Sequence, residues 1–447
     1  MKDITAQNLY AGLKKILDIK SSGFWLLAAL TFGIVTRIFY AHCYANNIIF
    51  YNSPVGEGRA YLDISRSLIY FDLFDKKFLF YSPVYSLFVA ACRFFIGNFQ
   101  NAYLTQSLLG ILNIYLAYSV TKGLFEKKIG AVAAWIYALT PVFMFYELKL
   151  SPLTLGITST LLLCLLFITI VKSDDFISWG LFGLFSAILC NLYTRYTWVL
   201  LMGVLLILIF NRKFFVTKLT RLAFSLISFM VIYSPILVWN QMITDEFTSV
   251  KYGYGFSFFI NNRLPGEKTY FGNGTINEYY NSYERILKTA EEETETIFES
   301  HDLDSFYFNK RTKLIAAEPW AYLKFFALKG LSLFSLKERT AEYSFNHESK
   351  TCPLFHIIFF PPVIALILGG IFLFGRNPGF KLRSFFLLLF AVSSLSFLAF
   401  DNLAGERALV LTPVLPFAAC GLFRLSDGLR KSMRRIEKKI SKSGKSR

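Results

Sequence analysis

Residues 53–68 read SPVGEGRAYLDISRSL, and the ten from Glu57 to Arg66 hold two acids, Glu57 and Asp63, and two arginines, Arg59 and Arg66. A carboxylate within hydrogen-bond reach of a hydroxyl can take its proton as that oxygen attacks. A guanidinium beside it can hold an anion in a fixed geometry. On a helix, Glu57 and Tyr61 share a face at i,i+4, and Asp63 and Arg66, at i,i+3, are spaced to pair with each other. Three more arginines, Arg37, Arg195 and Arg407, stand at or near the ends of apolar segments. Together at one membrane level they suit an anionic lipid headgroup. Each alone equally suits an arginine that snorkels to the interface.

The elements that must position these groups are membrane helices. The chain has 447 residues, 54% hydrophobic and only 17% charged, against about a quarter charged in soluble domains. Uncharged windows recur at the roughly 20-residue length that crosses a hydrocarbon core. The expected spans are 23–42, 103–121, 129–146, 153–171, 176–190, 196–210, 222–239, 354–374, 384–400 and 408–423. The fold class is all-α and polytopic, with about ten transmembrane helices. Gly23–His42 is too long and too late for a secretory signal and is expected to be retained. The segment PVYSLFVAACRFFI, 83–96, is apolar but short and carries Arg93, so it is expected to be re-entrant or interfacial.

The net charge of +17 raises nucleic acid as a partner, but its distribution argues against it. The basic runs fall between apolar segments: Lys14/Lys15/Lys20, Lys122/Lys127/Lys128, Arg212/Lys213/Lys218/Arg221 and Arg376/Lys381/Arg383. The stretch from Arg424 to Arg447 has ten Lys and Arg against two acids. That is the positive-inside pattern, and it suits membrane lipids, with the basic tail on anionic headgroups. Both termini then lie inside, and 43–102, 147–152, 191–195, 240–353 and 401–407 lie outside. The organisation is an N-terminal membrane half, 1–239, containing the first outer loop 43–102. A large, mostly helical outer loop, 240–353, membrane helices 354–423 and a basic cytoplasmic tail 424–447 follow. Within the large loop, the acid-rich stretch YERILKTAEEETETIFES reads as a solvated helix, and 316–335 as a helix along the interface. Cys43 and Cys352 fall on the outer side, where pairing stays open; the four histidines have no metal-ligand spacing.

With this topology, the chain resembles the polytopic GT-C glycosyltransferases that use lipid-linked sugars, akin to protein O-mannosyltransferases and the aminoarabinose transferases of lipid A. That group places an acid, three residues and a tyrosine after its first span; Glu57-Gly-Arg-Ala-Tyr61 has this spacing. A Pro-aliphatic-Tyr segment follows, matched by Pro83-Val84-Tyr85 in YSPVYSLFVAACRFFIG. GLFEKKIGAVAAWIYALTPVFMFYE is similar to the group's next basic loop and span, and ends in Glu147. GYGFSFFINNRLPG, containing Asn262, resembles the Asn-Asn stretch of the long outer loop, and RALVLTPVLPF, opening on Arg407, resembles the arginine of a late span. Two departures stand out. The leading acid is usually Asp, here Glu57, and the cation common before the Pro-aliphatic-Tyr segment gives way to Tyr81-Ser82, with Lys76 and Lys77 further back.

The resemblance implies a membrane transferase that moves a sugar from a polyprenyl-phosphate donor to a lipid, glycan or protein acceptor, with inversion, on the extracytoplasmic face of a bacterial inner membrane. It implies Glu57, Glu147 and Asp63 as candidate catalytic acids, Glu57 first as general base. Arg37, Arg59, Tyr61, Tyr85, Arg195, Asn262 and Arg407 are the candidate substrate-binding residues. No metal ligands and no certain cofactor are named; a divalent metal stays open. A polysaccharide polymerase or ligase is the alternative enzyme. A lipid-linked glycan transporter is the alternative without chemistry, and it would put ionisable residues in mid-span.

Overall fold

The computed structural model describes residues 21–47, 51–72, 80–193, 196–197, 215–244, 254–264, 283–295, 300–333, 380–400 and 404–427. Every regular element among them is helical. Residues 198–210 of one expected span, the span 354–374, Cys352, Lys76, Lys77, Arg195 and most of the basic tail lie outside the described residues.

The first helix, α1 (Ser22–Asn47), has 26 residues and is about 39 Å long, more than a hydrocarbon core requires. Next come α2 (Glu57–Ile69), α3 (Pro83–Ile96) and α4 (Gln100–Leu124). At 14 residues, or about 21 Å, α3 is too short to cross alone. Its ends are set locally: Ser82 accepts from the Tyr85 amide, Pro83 occupies the first turn, and Gly97 closes the helix at φ 93°.

The expected span 129–146 is broken. It is α5 (Lys127–Leu139) and α6 (Pro141–Glu147), bent 56° apart at Thr140. Pro141 has no amide hydrogen to give to the preceding turn and keeps Thr140 extended, so it starts a new helix instead of continuing the old one. Then follow α7 (Leu153–Ser173), α8 (Phe176–Leu192) and α9 (Phe215–Thr244). Asp175 caps α8 through the Ser178 amide and hydroxyl, and those bonds hold its carboxyl below the ordinary aspartate range. Within residues 240–353 lie α10 (Tyr254–Asn261), α11 (Tyr283–Thr294), α12 (Ser300–Ala317) and α13 (Pro319–Ser332). Last are α14 (Phe380–Phe400) and α15 (Ala404–Leu411), which continues through the 3-10 turn Thr412–Val414 into helix 415–427.

Among the described residues, five helical stretches are long and apolar enough to cross a membrane, or six if the bent pair α5–α6 is one span. The helix α4 lies among α1, α3, α5, α6 and α7. Farther along, α8 packs on α7 and α9, while α14 and α15 return to α7. The rings of Phe167 and Phe385 stack at 3.8 Å and join α7 to α14. Across α13, Trp320, Leu323 and Leu331 are exposed while Tyr322 and Lys329 are buried, so the helix shows an apolar strip outward.

Candidate active site

The acid-bearing stretch 57–69 is α2. Gly56 leads into it at φ 57°, a backbone shape that glycine takes readily and L side chains resist. Glu57 is the first helical residue, where a carboxylate is favoured by the helix dipole, and it is half-buried. One turn later Tyr61 is buried, with its ring 4.6 Å from that of Tyr85 and 5.3 Å from that of Tyr81. Those two contacts dock α2 on the start of α3. Arg59 is exposed on the other side. Asp63 pairs with Arg66 at 3.3 Å near the surface, as their spacing allows.

From Tyr85 a chain of hydrogen bonds leads inward. The Tyr85 hydroxyl donates to Gln106 Oε1 at 2.6 Å. The Gln106 amide nitrogen donates to the backbone oxygens of Glu147, at 2.8 Å, and Lys149, at 2.7 Å. One glutamine on α4 thus ties the end of α6 to the start of α3.

Glu147 and Arg37 form one buried unit. Arg37 Nε lies 2.7 Å from Glu147 Oε2, and Nη2 lies 2.6 Å from Oε1. They are 4% and 1% exposed. Both carboxylate oxygens are therefore engaged by one guanidinium fork, the strong bidentate geometry. Arg37 Nη1 also donates to the Gly33 carbonyl. Space for the carboxylate comes from Gly110 on α4, where a Cβ would stand 2.0 Å from Glu147 Oε1. The charge of Arg37 is met inside the bundle.

The remaining candidates lie elsewhere. Arg407 is buried on α15, which packs against α6 and α7. Asn262 is buried just past α10; it donates to the Ala399 carbonyl of α14 at 2.5 Å and accepts from Lys329 Nζ at 3.1 Å. Nearby Arg311 is fully buried, donating to the Phe259 carbonyl and the Tyr322 hydroxyl. Burial pushes the phenol of Tyr307, which donates to the Ile286 carbonyl, above its ordinary range, and the Glu293 charge adds to that. Among the described residues, no three of His, Cys, Asp and Glu gather as a metal-ligand set.

The structure thus brings Tyr61, Tyr85, Glu147 and Arg37 into one connected cluster reached from the helix that Glu57 opens, and sets Asn262 apart with α10, α13 and α14. Gln106 and Lys149 have no place in the sequence reading. Gln106 carries a visible signal, a polar amide within the expected span 103–121. Lys149 carries none beyond lying two residues after Glu147.

A family model described as dolichyl-phosphate-mannose-protein mannosyltransferase matches residues 82–239, a little over a third of the chain. Over that segment the match supports a glycosyltransferase. No curated protein matches. Among solved structures, the chain is similar to the oligosaccharyltransferase of Archaeoglobus fulgidus. In complex with zinc and sulfate, that protein is 13% identical, with 91% of this chain and 49% of that chain covered and a TM-score of 0.48. Tethered to an acceptor peptide containing the NVT sequon, it is 12% identical, with 92% and 51% covered and a TM-score of 0.47. In the apo form it is 11% identical, with 94% and 52% covered and a TM-score of 0.48. The chain spans about half the length of the solved structures that it matches.

Proposed function

We propose that this chain is a membrane glycosyltransferase that transfers a sugar from a lipid-phosphate carrier to an acceptor hydroxyl at the extracytoplasmic face, with Glu57 as general base. The observation that carries the reading is the docking of α2. Its first turn holds Glu57 right after α1, and Tyr61 ties that turn to Tyr85, Gln106 and the end of α6. A carboxylate so placed stays close to the end of a membrane helix, where the headgroup of a lipid-linked donor sits. The match to a mannosyltransferase family over 82–239 supports a lipid-phosphate sugar as donor.

The step is one displacement at the sugar's C1. The acceptor oxygen forms its bond to C1 while the bond from C1 to the phosphate oxygen breaks, and the electron pair stays on the phosphate. Glu57 takes the acceptor's proton. Attack opposite the leaving group inverts C1. Arg59, Arg195 and Arg407 serve the headgroup in this reading. Arg37 and Glu147, engaged with each other, hold α6 in place.

The test measures turnover of purified protein with labelled polyprenyl-phosphate sugars and candidate acceptors. Glu57→Gln keeps size but cannot accept the proton, and it should lose about 10²–10⁴-fold in rate with folding intact. Glu57→Asp should retain part of the activity. Asp63→Asn should be much milder. A fully active Glu57→Gln beside a dead Asp63→Asn moves the base to the other acid.

A further inference from the structure

The helix α13 reads PWAYLKFFALKGLS, and its only charged residues are Lys324 and Lys329. Tyr322 and Lys329, seven apart and so on one side of the helix, are buried. That side is tied to its neighbours. The Tyr322 hydroxyl accepts from Arg311 of α12, and Lys329 donates to the Asn261 carbonyl and the Asn262 side-chain oxygen at the end of α10. The opposite side is apolar too. Trp320, Leu323, Leu328 and Leu331 fall at i, i+3, i+8 and i+11, which share one face, and all four are exposed, Trp320 by 80%. Ala327 is exposed among them, and Lys324 is the one charge on the strip.

A helix that is apolar on both sides is not matched to water. Soluble surfaces keep contiguous apolar patches small. Nor can α13 cross a membrane, because 14 residues reach about 21 Å against roughly 30 Å of hydrocarbon. What remains is an apolar surface that the helix lies along and does not pass through.

The fold places such a surface beside it. The last turn of α13 is docked on α14, whose stretch Leu382–Ala399 is long and apolar enough to cross a membrane. Leu333, just past α13, packs with Phe397 of α14 and Val410 of α15, and a Cβ on Gly330 would stand 3.7 Å from Leu398. Asn262, held by Lys329, donates to the carbonyl of Ala399, where the apolar stretch ends. The α13 side of the molecule therefore meets this span at its end, which is the level of a membrane surface. Leu395 of α14 is itself exposed one turn before Leu398, so exposed apolar surface continues from the span to the last turn of α13.

We propose that α13 is a membrane-surface helix whose partner is the lipid bilayer. Trp320, Leu323, Leu328 and Leu331 bed among acyl chains just below the headgroups, about 5–10 Å into that boundary. Lys324 lays its stem along them and keeps its ammonium in the wet interface. From the other side of the same helix, Lys329 holds Asn262, so contact with the bilayer fixes the height of Asn262 as well. This partner follows from apolar surface and helix length and is independent of the transfer chemistry.

The experiment uses the purified full-length protein in phosphatidylcholine vesicles whose acyl chains carry bromine near the headgroup, bromine near the terminal methyl, or none. Bromine quenches tryptophan on contact within the bilayer, and iodide quenches it from water. The chain has six tryptophans, so the Trp320 signal is read as the difference between wild type and Trp320→Phe. That signal should fall at least twofold more with shallow bromine than with deep bromine, and iodide should leave it nearly unchanged. Leu331→Trp adds a reporter to the same strip and removes none, so it carries the measurement if Trp320→Phe fails to fold, with the same order expected. Deep bromine quenching as strongly as shallow bromine overturns the surface placement. Quenching by iodide and by neither lipid puts the strip in water and overturns the proposal. Shielding from all three quenchers overturns it too, and in protein that runs as a dimer it gives the strip to a second copy of the chain.

Discussion

Two regions of the molecule bury cations, and they hold them differently. Among α1 to α7, Arg37 is met by the carboxylate of Glu147, two charges facing each other inside a helix bundle. Among α10 to α13, Lys329 donates to the Asn261 carbonyl and the Asn262 side-chain oxygen, while Arg311 donates to a carbonyl and a hydroxyl and lies 4.5 Å from the centroid of the Phe259 ring. The difference lies in what is left behind when one partner goes. A lost Arg37 strands a carboxylate in an apolar interior, whereas a lost Lys329 strands the Asn261 carbonyl and the Asn262 side-chain oxygen, which are neutral dipoles. The first error is the costlier, because an unpaired buried charge loses far more hydration than an unpaired amide.

The largest effect should therefore come from breaking the pair one side at a time. Arg37→Met or Glu147→Leu alone should cost about 3–5 kcal/mol, while the double variant, which leaves no buried charge, should recover most of that loss. Denaturation of the three purified variants in detergent checks this. A double variant as unstable as the singles would show that the pair contributes more than charge compensation. Turnover of a folded double variant then separates the roles: an active one makes Glu147 a positioning residue, and a dead one returns it to the chemistry.

Next comes Gly110→Val. A Cβ already lands on the Glu147 carboxylate, so the larger side chain must push the pair apart or move α4, at about 1–3 kcal/mol as in overpacked cores. The same substitution in an Arg37→Met/Glu147→Leu background should cost a different amount, because the two sites touch and so need not be additive. Identical costs in both backgrounds would separate Gly110 from the pair.

Smaller still is Lys329→Met, at about 1–3 kcal/mol, the range for leaving hydrogen-bonded groups unsatisfied. If it destabilises the protein as much as Arg37→Met, the contrast between the two regions fails. The smallest is Asn262→Ala, at about 1 kcal/mol for hydrogen bonds that tie α10 to α14. Asn262 is also a candidate substrate residue, so its variant sharpens the comparison in another way. A rise in donor KM with stability nearly unchanged marks ligand contact; lost stability with normal KM marks a structural tie.

Local signals in the chain carried much of the architecture. Ser82, Pro83 and Gly97 start and stop α3 by chemistry confined to three or four neighbouring residues, and that chemistry is readable wherever it occurs. The same holds for Asp63 and Arg66, whose contact is one helical turn long. The break in 129–146 was present in the sequence as Pro141 but was masked by an unbroken apolar run. Hydropathy averages over a window, whereas a proline acts at one bond. The acid–tyrosine spacing of α2 was likewise legible, because a helix turns a spacing of four into a shared face.

The partners of the buried groups were not legible. Arg37 and Glu147 are 110 residues apart, and nothing local distinguishes an arginine that snorkels from one that turns inward to a carboxylate. Gln106 reaches 41 and 43 residues along the chain to two carbonyls. Lys149 meets Tyr44 only because α1 packs against α4 and α5 and the bent α6 ends beside it. Sequence determines which segments enter a membrane and where each begins, because those preferences are summed over near neighbours and solvent. Which charges meet inside depends on how the helices are stacked. Only the tertiary structure decided that Arg37 answers Glu147 and that Lys149 packs against the Tyr44 and Phe145 rings near the end of α1.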